Sequence, residues 1–276
     1  MTVALGTFGI WQRQDQSSPE LAARIEELGY GAIWIGGSPP GDLAQIEALL
    51  DATSHIAVAT GIVNMWSTPA AEVAAAYHRI EVKHPGRLLL GVGIGHPEAI
   101  SDYRRPYATV VAYLDALDAA QVPVDRRVLA ALGPKMLALA AERTAGAHPY
   151  LTTPEHTREA RAVLGDGVLL APEHKVVVDT DPERARAIGR PVVARPYLGL
   201  RNYTSNLLRL GWTEDDIADG GSDRLVDALV AHGDAGAVAA RLAEHVSAGA
   251  DHVCAQVLGP EPLPALGALS EALELR

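Results

Sequence analysis

One cysteine, Cys254, stands in the whole chain. An internal disulfide is therefore ruled out, and so is a thiolate metal centre, which needs several sulfur ligands or sulfur with histidine at set spacings. The histidines are scattered, without an HxH or HExxH pattern, so they offer no zinc-type spacing either. No Gly-x-Ser-x-Gly elbow is present, which removes the usual serine-hydrolase arrangement. No apolar run approaches the ~20 residues that a membrane-spanning helix needs. Basic residues are outnumbered, 23 against 34 acidic ones, and a net charge of -11 at pH 7 repels phosphate backbones. Any anionic ligand must be held by a local site and not by the overall field. Phe8 is the sole phenylalanine and aromatics make up 5% of the chain, so the core has to be mainly aliphatic. Met1 to Phe8 has neither the basic head nor the apolar stretch of a signal peptide. With one cysteine, that makes a soluble cytoplasmic protein the expectation.

What the chain does have is alternation. Short β-branched runs recur, each followed by a loop and then by apolar residues at helical spacing. The candidate strands are 3–9, 31–35, 56–62, 87–93, 127–131, 147–151, 175–179 and 252–258. Between them, Ser18-Pro19, Thr68-Pro69, Thr153-Pro154 and Asp181-Pro182 each set a capping residue before a proline, whose missing N–H costs nothing at a first helical position. Leu21, Ile25 and Leu28 form one stripe, and Gly29 ends that helix. Strands alternating with helices predict a parallel sheet, and eight of them suit a closed (β/α)8 TIM barrel, with an open doubly wound sheet as the alternative. The interval from 179 to 252 exceeds one helix and is read as helix seven plus an insertion between strands 7 and 8, with helices expected over 203–210, 222–231 and 235–248. No low-complexity tract or linker marks a second domain, so residues 1–276 are expected to form a single one.

Local motifs must choose the function. Leu88-Leu89-Leu90-Gly91-Val92-Gly93-Ile94-Gly95-His96 has the look of a dinucleotide fingerprint, but the third glycine it requires is His96. Alternate glycines at a strand end would instead let a flat ligand approach the backbone at Gly93 and Gly95 without meeting a Cβ; the plain reading is a glycine-rich turn. Gly133-Pro134-Lys135 opens a helix with free amides and a lysine, which suits an anion or is simple proline capping. His148 either hydrogen-bonds within the structure or faces a ligand at the open end of the barrel. Trp11, Trp66, Tyr107 and Tyr197 fall in or near loops and either wall a pocket or anchor packing.

Together with Ala59-Thr60-Gly61-Ile62-Val63-Asn64-Met65-Trp66, Leu28 to Ile35, Leu132 to Met136, Gly146 to Tyr150 and Gly249 to Val253, the glycine-ended strand resembles the F420-dependent branch of the luciferase-like oxidoreductases, from near residue 3 to near residue 258. The resemblance implies a luciferase-like barrel and coenzyme F420, with FMN as the alternative, acting on a small-molecule substrate. It implies a non-proline cis peptide at Gly61-Ile62 behind the coenzyme ring, with Asn64 also behind the ring, the phosphate at Gly133 to Lys135 and Leu132 among the cofactor-binding residues. Gly146 and Ala147 join the cofactor-binding candidates on the same ground, and a homodimer is implied through a helix carrying Leu43, Ile46, Leu49 and Leu50. One departure stands out. Many relatives carry an acid or histidine just after strand two, where this chain reads Gly36-Gly37-Ser38-Pro39-Pro40. His96 and His148 become the candidates for proton transfer, and a non-catalytic F420 carrier or sensor stays open as a reading of another class.

Overall fold

A computed structural model describes residues 3–95, 105–260 and 262–276. The chain folds as a parallel α/β barrel. Its staves are β1 (Phe8–Arg13), β2 (Ala32–Gly36), β3 (Ala57–Thr60) continued by β4 (Val63–Asn64), β5 (Leu88–Gly93), β6 (Arg127–Leu129) and β7 (Gly146–Ala147). The next stave is β8 (Leu169–Leu170) continued by β9 (Glu173–Val178), and β11 (Val253–Val257) completes the ring. Closure occurs in the β8–β9 stave. On one edge Ala171 and Glu173 donate to the carbonyls of Ala147 and Pro149, and on the other β9 pairs with β11, which pairs with β1. The open-sheet alternative is thereby excluded.

The helices follow the strands: α1 (Pro19–Glu27), α2 (Ala44–Asp51), α3 (Ala70–Lys83), α4 (Pro106–Ala119), α5 (Pro134–Arg143), α6 (Pro154–Leu164) and α7 (Pro182–Ala194). Ser18 caps α1 by accepting from the Leu21 amide, and Asp181 caps α7 by accepting from Glu183 and Arg184. Thr153 precedes α6 without a side-chain cap bond, and α3 starts one residue late, with Pro69 and not Thr68 at its cap. Between β9 and β11 come α8 (Arg201–Arg209), α9 (Glu214–Ile217), α10 (Asp223–Leu229), β10 (Val230–Gly233) and α11 (Ala235–Ser247); α12 (Pro262–Ala272) closes the chain.

Two cores hold the layers. Ile33, Ile35, Val58, Leu88 and Leu90 face outward against the helices, while Trp11, Trp34, Ala59, Leu89, Val128 and Cys254 fill the barrel. Alternate residues therefore separate cleanly into two sets, as period-two strands require.

Several expected boundaries move. The first strand is Phe8–Arg13 and not 3–9, because its register is set by Phe8 against Val253 and Ile10 against Ile33; Val3 and Leu5 are still buried, in the barrel-filling cluster below it. Helix 222–231 stops at Leu229, since Val230 and Ala231 extend beside Lys175 and Val176 as β10. Leu43, Ile46, Leu49 and Leu50 are all at most 1% exposed within the sheet–helix core, so they do not offer an association face. Among the described residues no helix is long and apolar enough to cross a membrane.

Candidate active site

A cavity of about 630 Å³ opens where the strands end at their carboxyl side, the end at which barrels of this kind carry their sites. Its floor is made by an interruption of the third stave. β3 pairs with β5 as far as Ala59 and Leu89, after which the Gly61-Ile62 peptide is cis, as the resemblance implies, and pairing resumes one step later with Val63 against Val92. Thr60 bridges the gap: its hydroxyl donates to the Gly91 carbonyl at 2.7 Å and accepts from the Gly91 amide at 2.8 Å. A Cβ on Gly91 would lie 1.9 Å from the Thr60 carbonyl, so only glycine fits opposite the bulge. Gly93 serves the same construction, because its missing side chain leaves room for that of Ile62, which a Cβ would meet at 3.1 Å.

Gly61, Ile62, Asn64, Gly95, Leu132, Gly133, Pro134 and His148 all line this one cavity. The other candidates do not. Lys135 is exposed with its ammonium 4.1 Å from the centre of the Tyr107 ring, Gly93 lies in the wall behind Ile62, and Gly146 and Ala147 belong to the barrel wall. His96 lies outside the described residues. Of the loop aromatics, Trp11 and Tyr197 face the cavity, and Trp66 and Tyr107 do not line it.

His148 is held deep in the barrel. Its ring stacks on Trp34 with centroids 4.1 Å apart, and Nδ1 lies 2.7 Å from the Ala171 carbonyl, which places the ring proton there. Burial pushes its pKa down to about 4, so the ring is neutral near pH 7 and Nε2 carries a lone pair. In that form His148 can accept a hydrogen bond but has no proton to give on its other edge. Nε2 and the Trp11 indole N–H are both buried without a partner among the described residues, and both flank Gly61: a Cβ there would sit 3.2 and 2.8 Å from them.

The far wall comes from the segment between β9 and β11. On α8, Asn202, Ser205, Asn206 and Arg209 all face the cavity, at i, i+3, i+4 and i+7. That polar stripe at helical spacing was the available sequence signal, and it was missed because polar stripes on helices ordinarily face water. Tyr150 from the loop after β7 and Tyr197 complete the wall, and Gly37 and Ser38 reach it from β2 without bringing an ionisable group. The amino end of α5, at Gly133 and Pro134, closes the other side. A concave, mainly apolar chamber with a glycine floor and a helix start at one end suits a flat ligand with an anionic tail. Among the described residues no group of histidine, cysteine or carboxylate side chains is placed to hold a metal.

The chain matches the family model of luciferase-like monooxygenases over residues 9–252, and it belongs to that family of enzymes. Solved structures agree on the fold. An F420-dependent secondary alcohol dehydrogenase in complex with an F420-acetone adduct superposes with a TM-score of 0.76 at 15% identity, covering 98% of each chain. The coenzyme F420-dependent tetrahydromethanopterin reductase of Methanopyrus kandleri gives 0.69 at 17% identity, with 98% of this chain and 99% of that one covered. The oxygenating constituent of 3,6-diketocamphane monooxygenase from Pseudomonas putida, in complex with FMN, gives 0.66 at 15% identity over 99% and 97%. No curated protein matches the chain by sequence.

Proposed function

We propose that this protein is an F420-dependent oxidoreductase that transfers a hydride between the deazaflavin and a small organic substrate. The observation that carries the reading is one continuous cavity running from the Gly61-Ile62 floor to the start of α5. It matches a flat ring at one end and a phosphate at the other. When bound, the coenzyme supplies a two-electron carrier at a ring carbon; the protein supplies orientation and exclusion of water. Gly61 and Ile62 would back the ring, Gly95 would lie beside it, and Leu132, Gly133 and Pro134 would meet the phosphate. His148 Nε2, neutral and buried, holds no proton on that edge and keeps the floor free of positive charge.

Titration of the purified protein with F420 and with FMN tests this. Tryptophan quenching at micromolar F420 and not with FMN is expected; the reverse selects an FMN-dependent monooxygenase. Tight F420 binding without oxidation of the reduced coenzyme across a broad carbonyl panel selects a carrier or sensor.

A further inference from the structure

Behind the far wall lies a buried ion pair that the reading above does not use. Glu173 and Lys175 point into the barrel from β9, both fully buried, with the ammonium 3.0 Å from one carboxylate oxygen. The other carboxylate oxygen accepts from the Leu151 amide. Lys175 Nζ also lies 3.9 Å from the centre of the Tyr150 ring and 5.2 Å from that of Tyr197. The two phenols are linked: Tyr197 donates to the Tyr150 oxygen at 3.0 Å, and Tyr150 donates to Gln256 Oε1 at 2.9 Å. Tyr150 packs against Trp11 at 5.0 Å, and Trp11 abuts Gly61, so the phenol pair stands one ring away from the cavity floor.

We infer that the Tyr197–Tyr150 pair, backed by Lys175, is the site that holds the oxygen of a small carbonyl substrate and supplies its proton. The inference rests on the hydride-transfer reading and names the substrate class for it. It also accounts for the loop after β2, where Gly37 and Ser38 reach the cavity without an acid. Burial raises both phenols above their ordinary range, so each keeps its proton and acts as a donor. Phenolic hydrogens rotate: with Tyr150 turned to donate to Tyr197, the Tyr197 hydrogen is free to face the cavity. A reduced deazaflavin, when bound, would supply the hydride for the new C–H bond, and the carbonyl π pair would move onto oxygen. That oxygen takes the Tyr197 proton. The phenolate left behind is held by the Tyr150 hydroxyl and the Lys175 charge until water at the mouth returns a proton. The ionisable groups acting on Tyr197 are Glu173, which raises its pKa, and Arg13, which lowers it, and Tyr203 packs edge-on to its ring.

p-Nitrophenol, whose ionised form absorbs in the visible, serves as the probe for an oxygen carrying negative charge. Bound to the full-length protein, with and without F420, its ionised-to-neutral ratio should rise at least tenfold over free solution, a shift of about one pKa unit. Tyr197→Phe should abolish the rise and Tyr150→Phe should reduce it. Replacing Glu173 and Lys175 together by Leu and Met, which leaves no buried lone charge, should also reduce it. An unshifted spectrum, no binding up to the solubility limit, or a Tyr197→Phe protein that titrates like the parent overturns the inference. Loss of F420 binding with the phenolate signal intact removes the coenzyme and leaves the oxygen site; F420 binding with an unshifted phenol does the converse.

Discussion

Trp34 and His252 are locked together inside the barrel: the indole N–H donates to His252 Nε2 at 3.0 Å, while His252 Nδ1 donates to the Gly6 carbonyl at 2.8 Å. One ring therefore ties β2, the start of β11 and the segment before β1. Trp34→Phe removes the indole N–H together with part of the buried ring and leaves Nε2 unpaired in the dry interior. It is expected to cost about 1–3 kcal/mol of stability, read as a lowered urea midpoint with an unchanged slope. A midpoint equal to the parent's would show that the bond contributes nothing.

Acid should unfold this protein early. Burial holds His148 and His252 down to about 4 and His174 to about 3, whereas an unfolded histidine titrates near ~6.5. The folded pKa values are depressed, so the unfolded chain binds these protons first. Stability is full above ~6.5 and is lost as pH falls from there toward about 4, at roughly 1.4 kcal/mol per pH unit for each histidine in its window. Urea midpoints at pH 7.5, 6.5 and 5.5 check this, and a flat profile between the last two would contradict it.

Two glycines of the cavity should respond unequally to alanine. At Gly61 a Cβ meets Trp11 Nε1 at 2.8 Å, and at Gly133 it meets nothing within 4 Å. Gly61→Ala is expected to cost about 1–3 kcal/mol and to weaken coenzyme binding at least tenfold, because the floor must shift. Gly133→Ala should stay within about 0.5 kcal/mol by the same urea assay.

The buried pair on β9 predicts strong non-additivity. Lys175→Met alone strands the Glu173 carboxylate and should cost about 3–5 kcal/mol. Adding Glu173→Leu should recover most of that loss, a result that separate single-site effects would not produce. Thermal melts of the two single variants and the double variant decide it.

Much of the fold was legible in the chain because it depends on local patterning. Ser18-Pro19 and Asp181-Pro182 mark helix starts through the backbone amides they satisfy, and they cap α1 and α7. The run Leu88 to Gly93 reads as a buried strand, and it is one. Where neighbours outvoted local preference, the reading moved. Val3 and Leu5 alternate like a strand, yet the ladder starts at Phe8, because Val253 and Ile33 set its register from far along the chain.

The chain alone determined the alternation of strands and helices and the absence of an acid after β2, since each follows from residues adjacent in sequence, whereas the break at Gly61-Ile62 was implied by resemblance to a family. Tertiary structure decided the rest. Only closure of the ring brings Tyr150, Tyr197 and Lys175 to one wall, turns the polar stripe of α8 inward and buries the α2 leucines. The physical reason is that side-chain environment depends on what packs opposite, and those partners lie dozens to hundreds of residues away.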